Sequence, residues 1–114
     1  MHIEDILTQQ RFVLIPTTKW IAIRDPRPSF RKAFKTARFG KLQQNGLYVT
    51  LGVVKEPCER LIAASSLPLR HLRSTNGKGE LYPGVDLAGV PDTALRQLLQ
   101  DLHATVDPYL PTRD

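Results

Sequence analysis

Hydrophobic positions along the chain change their period several times, and each change marks an element. Ile3, Ile6 and Leu7 share one side of a helical wheel, which predicts a short helix from Met1 to about Gln10. "RFVLIP" and "KWIAIR" are short runs of β-formers separated by Pro16, Thr17 and Thr18, a pattern that predicts two strands and is compatible with a hairpin. Pro26 and Pro28 then stop the sheet, because proline has no ladder donor. After them the period becomes helical: Phe30, Ala33, Phe34 and Ala37 fall at i, i+3, i+4 and i+7, with Arg31, Lys35 and Arg38 along an adjacent side. Ser29 suits an N-cap and Gly40 the left-handed position past a helix end, so a basic amphipathic helix is expected at about 29–39.

Further along, Asn45-Gly46 signals a turn. Leu47, Val49, Leu51 and Val53 then alternate with Tyr48, Thr50, Gly52 and Val54, which predicts a central strand covered on at least one face. "EPCERLIAAS" reads as a short helix with Pro57 at its first position. "LPLRHLR" reads as a strand, and "STNGKGELYPG" as turn and loop, with Asn76-Gly77 again compatible with a hairpin. Pro91 opens a helix to about Val106, where Leu95, Leu98, Leu99, Leu102 and Val106 form one apolar stripe before Asp107-Pro108 ends it. No repeat or linker divides the chain. Residues 1–114 are therefore expected to form one α+β domain, a few mostly antiparallel strands covered by helices, including a long C-terminal amphipathic helix.

Composition narrows the class. At 114 residues the chain can bury one modest core without disulfides or a structural metal, and 41% hydrophobic with 24% charged content excludes a disordered polymer. No apolar run approaches the roughly 20 residues of a membrane span, and the acidic start MHIEDILTQQ lacks the pattern of a secretory signal. Cys58 is the only cysteine and makes no intramolecular disulfide, so a cytoplasmic setting is expected.

Charge changes the picture more. Residues 19–41 hold eight cations against Asp25, whereas residues 80–114 hold six acids against Arg96 and Arg113. Such asymmetry implies either a basic face for an anionic partner or a basic helix that meets the acidic part of its own or a neighbouring chain.

Candidate chemistry is sparse. His2, His71 and His103 show no zinc spacing with Cys58, and "NGKGE" lacks the remainder of a phosphate-binding loop. A thiolate at Cys58, near a helix start, would need a neighbouring base, and a small buried thiol is the expected role. His103, flanking the leucine stripe, is expected at a packing boundary. The stretch "ARFGKLQQNGLYVTLGVVKEPCERL" loosely resembles the R-F-N…L-Y…E core of RES-type toxins, which belong with the NAD-consuming ADP-ribosyltransferases. That resemblance implies Arg38 on a cofactor phosphate, Tyr48 stacked on the nicotinamide side and Glu59 steadying the departing charge. Gly40 stands where the pattern has asparagine, and the sequence after Glu59 does not continue it.

The residues themselves point to binding, with no catalytic set and no cofactor. Arg31, Lys35 and Arg38 on one helix face, with Arg27 and Lys41 at its ends, could neutralise several phosphates by releasing condensed counterions. Arg70, Arg73 and Lys78 would extend the patch if the fold brings them near. Trp20 and Tyr82 are the aromatics that could stack on bases, but packing is the expected role of each, so binding directed at the nucleic-acid backbone is expected to ignore sequence. The alternatives are a homo-oligomeric module that docks an acidic protein surface or buries the 95–106 stripe or a sheet edge against a second chain, and a small-ligand pocket lined by Phe12, Trp20 and Tyr48.

Overall fold

A computed structural model describes residues 2–74 and 79–111, and the architecture is α+β. Helix α1 (His2–Gln9) leads into the strands β1 (Val13–Pro16) and β2 (Ile21–Arg24), which pair antiparallel as a hairpin. Thr17 holds the turn, its N–H and its hydroxyl both donating to the Trp20 carbonyl at 2.8 and 2.6 Å.

The basic helix is shorter than its spacing predicts. Helix α2 runs Pro28–Phe34, capped by Arg27 rather than Ser29, because Pro28 carries a preset φ and no N–H and so fits the first helical position. Its end comes at Lys35, not Gly40: Lys35 takes the left-handed conformation at φ 62° and donates its N–H to the Arg31 carbonyl. Strand pairing wins beyond that point. The Asp25 N–H reaches the Ala37 carbonyl at 2.8 Å, and β3 (Arg38–Gln43) pairs with β2 on one side and β4 (Gly46–Val49) on the other. Gly40 therefore serves inside a strand, where an added Cβ would lie 2.1 Å from the Tyr48 carbonyl oxygen.

Strand β4 also stops early. The N–H groups of Thr50 and Leu51 both point to the Phe39 carbonyl, at 3.1 and 3.2 Å, opposite a register shift between β2 and β3. A 3₁₀ turn, Gly52–Val54, then feeds helix α3 (Lys55–Ala64), with Pro57 in its first turn. Strand β5 (Leu69–Arg73) pairs antiparallel with β6 (Leu81–Asp86), a strand that the sequence pattern assigns to loop. Asn76-Gly77 and Lys78 lie outside the described residues. Helix α4 (Asp92–Val106) and a 3₁₀ turn, Asp107–Tyr109, complete the fold.

The six strands lie in the order β1-β2-β3-β4-β6-β5, so α3 crosses from β4 to β5 and β6 fills the place between them. Helix side chains Ile6, Leu7, Phe30, Ile62, Leu99 and Leu102 form one core with Ile23, Leu47, Val49 and Val85 of the sheet. The leucine stripe of α4 is wholly spent on this core, with Leu95, Leu98, Leu99, Leu102 and Val106 each buried, and so is not the surface for a second chain. Because strand side chains alternate, the neighbours of these sheet residues point away from the helices, and that second face is uncovered among the described residues. Among the described residues no helix is long and apolar enough to cross a membrane.

Candidate functional site on the uncovered face of the sheet

Register decides which side chains meet on this face. Lys41 lies opposite Ala22 and Tyr48, Tyr48 opposite Gly84, Gly84 opposite Arg70, and Arg38 opposite Arg24. Tyr48, only 2% exposed, lies flat across two glycines: a Cβ on Gly46 would fall 2.5 Å from its ring, and one on Gly84 equally close. Ala22 stands on the other side of Lys41 in the same row. Trp20, at the end of the first hairpin turn, has the Arg38 guanidinium carbon 4.1 Å from its ring centroid and the Lys41 ammonium at 4.9 Å. Tyr82 has the Lys55 ammonium 5.6 Å from its ring.

The electrostatics of the cluster are one-sided. Among the strand positions that point this way, Arg24, Arg38, Lys41 and Arg70 face a single carboxylate, Asp86, which lies 3.8 Å from Arg70. No carboxylate pairs with Arg38 or Lys41 among the described residues. Burial lowers the Arg38 guanidinium below its usual value, with Tyr82 acting in the opposite sense, and burial together with the adjacent Arg38 charge lowers Lys41. Arg38 Nε is buried without a hydrogen-bond acceptor. A donor left in that state, beside two uncompensated charges, is a site that an anion would complete.

The residues proposed from the sequence divide into three groups. Arg38, Lys41 and Arg70 lie on the uncovered face, although Arg38 and Lys41 come from β3 and not from a helix. Arg31 on α2 and Lys35 just past its end are exposed, and Arg31 shares with Val13, Arg24, Asp25 and Arg27 a cleft of about 420 Å³ that continues the face toward α2. Arg27, which lines the same cleft, and Arg73 are already engaged within the chain. Arg27 is held by Asp25 through Nε at 3.0 Å and Nη2 at 2.8 Å, and by Asp107 through Nη1 at 2.8 Å, which raises its guanidinium above the usual range. This is the basic segment meeting the acidic end of its own chain. Arg73 alternates to the helix side of β5, where Nη1 reaches the Gly79 carbonyl at 3.4 Å.

Several other expectations resolve in the same geometry. Trp20 and Tyr82, expected to be packing residues, are half-buried on the uncovered face, whereas Phe12 joins the helix-side core. Arg38, Tyr48 and Glu59 do not converge, since Glu59 belongs to α3 on the other side of the sheet and is bonded to His71. His103 stacks on Phe12 at 4.4 Å and its Nε2 donates to the Gln10 carbonyl, as a packing-boundary histidine. Alternation applied to β3 could have placed Lys41 beside Trp20, but the helical spacing of 30–37 masks that strand.

Cys58 is fully buried, and burial pushes its thiol up to about 12 despite its place near a helix start. Between its ordinary value of 9.0 and about 12 the unfolded chain releases the proton and the native chain keeps it. Stability is therefore expected to fall through that window by up to about 1.4 kcal/mol per pH unit, a slope that Cys58→Ala removes in urea titrations.

Compared with known proteins, the chain matches no family model, no curated protein and no solved structure, so the geometry of this face carries its own interpretation.

Proposed function

We propose that the uncovered face binds nucleic acid without catalysis, with the phosphate backbone lying over Arg24, Arg38, Lys41 and Arg70 and leaving toward Arg31. The observation that carries this reading is the pair Arg38 and Lys41, held together on Trp20, partly withdrawn from water and without a carboxylate. Phosphate oxygens would compensate both charges and accept from Arg38 Nε. A cytoplasmic setting, where Cys58 stays reduced, fits this role.

The test is anisotropy of labelled single-stranded oligonucleotides from low to physiological salt. Log affinity should fall linearly with log salt, and Arg38→Glu with Lys41→Glu should flatten the slope by about 1.4, for two lost contacts, with at least a tenfold loss of affinity at low salt. Absence of binding by the wild type at low salt would overturn the reading. A second copy of the chain is the rival occupant, favoured by Val13 and Ile15, each 42% exposed on edge strand β1; sedimentation at high concentration separates it from a monomer.

A further inference from the structure

Trp20 borders a second feature besides the cationic cluster. A cleft of about 400 Å³ opens at the end of the sheet, with Trp20, Lys19, Gln43, Gln44 and Asn45 among its walls and Glu4 of α1 across from them. Its size is that of a small-ligand site. Gln44 and Asn45 are the two-residue turn between β3 and β4, both with positive φ, at 50° and 64°, which is the backbone that a tight hairpin of this length demands. That turn sets an amide-rich wall beside the indole.

The chemistry of the walls differs from that of the sheet face. Gln43 Oε1 is buried and has no hydrogen-bond donor, an acceptor left without a partner in a folded protein. The Glu4 carboxylate adds a second acceptor. A phosphate entering here would meet a carboxylate and an unpaired oxygen, so the cleft disfavours the backbone of a nucleic acid. A nucleobase with an exocyclic amine suits it: the ring stacks on Trp20, the amine donates to Gln43 Oε1, and the phosphate stays outside near Lys19 and Lys41.

We infer that the cleft beside Trp20 is a nucleobase pocket that selects bases carrying an exocyclic amine, adenine, cytosine or guanine, over thymine or uracil, which carry none. This rests on the nucleic-acid reading of the adjoining face and gives it a base preference that the backbone contacts lack. It also makes the partner single-stranded, since a paired base offers its amine to its complement.

Trp20 is the only tryptophan in the chain, so its emission reports occupancy of the cleft directly. The experiment titrates the protein with oligo(dA), oligo(dC) and oligo(dT) of equal length at one low salt concentration, following anisotropy and Trp20 emission together. Oligo(dA) and oligo(dC) should bind about tenfold tighter than oligo(dT), the scale of one hydrogen bond to an otherwise unpaired buried group. Gln43→Met and Gln43→Thr should each bring the three affinities together while leaving the salt slope unchanged. Equal affinities for all three oligonucleotides in the wild type, or a loss in Gln43→Met that is the same for all three, would overturn the pocket and leave the backbone reading standing. Failure of every oligonucleotide to bind would remove both.

Discussion

Arg27→Ala is expected to lower stability by about 3 kcal/mol, the cost of leaving a buried carboxylate without its cation. Asp25 is 2% exposed, and it receives the Arg27 backbone N–H at 3.0 Å together with Nε and Nη2 of the same side chain. After truncation that backbone N–H stays in place, with His103 Nδ1 at 3.9 Å. The second arm of Arg27 reaches Asp107 just beyond α4, so one side chain joins the start of α2 to the end of the last helix. Thermal and urea unfolding should both register the loss, at roughly 12 °C in the midpoint for a domain of this size. The double variant Arg27→Ala with Asp25→Ala should recover part of it, because the stranded charge has gone. A single variant within about 0.5 kcal/mol of wild type would show that water reaches Asp25 freely.

Gly84→Ala should be comparably damaging, by about 3 kcal/mol, at the upper end of the cost of overpacking. The new methyl would lie 2.5 Å from the Tyr48 ring and 2.3 Å from the Leu47 carbonyl oxygen, so a side chain and a neighbouring strand must both move. Gly52→Ala is the internal control. Nothing lies within 4 Å of a Cβ there, and the residue sits in the 3₁₀ turn ahead of α3, so alanine should be neutral or stabilise by about 0.5 kcal/mol through the unfolded chain. Equal effects at the two glycines would mean that Tyr48 does not lie flat on the sheet. Gly84→Ala should also weaken oligonucleotide binding, since a raised Tyr48 disturbs Lys41, its partner in register.

Local periodicity made most of the fold legible. The leucines of α4, the apolar positions of α1 and the first hairpin act within a few residues of one another, and each forms where its pattern predicts. Strands β3 and β6 were not legible, for different reasons. In β3 the helical spacing of Phe30 to Ala37 runs into the strand, and only pairing on both edges ends the helix at Lys35. In β6 the turn-forming pair Pro83-Gly84 sits inside a strand. It is tolerated because the register with β4 ends at Gly84, which leaves Pro83 paired on one side only, and because Gly84 makes space for Tyr48. The candidate site inherits that difficulty. Its cations were visible as residues, but their grouping with Trp20 depends on β3 being a strand and on which side of it alternates outward.

The strand order has a consequence for how the molecule is made. Strands β1 to β4 are consecutive neighbours and can zip together as they are synthesised, yet the place next to β4 belongs to β6, which emerges only after α3 and β5. Until then the Leu47–Tyr48 edge is an open template at the centre of the future sheet. A ribosome that stalls once β4 has emerged and before β6 has would present that edge to other nascent chains, so translation rate over this stretch bears on yield as directly as does the stability of the finished fold.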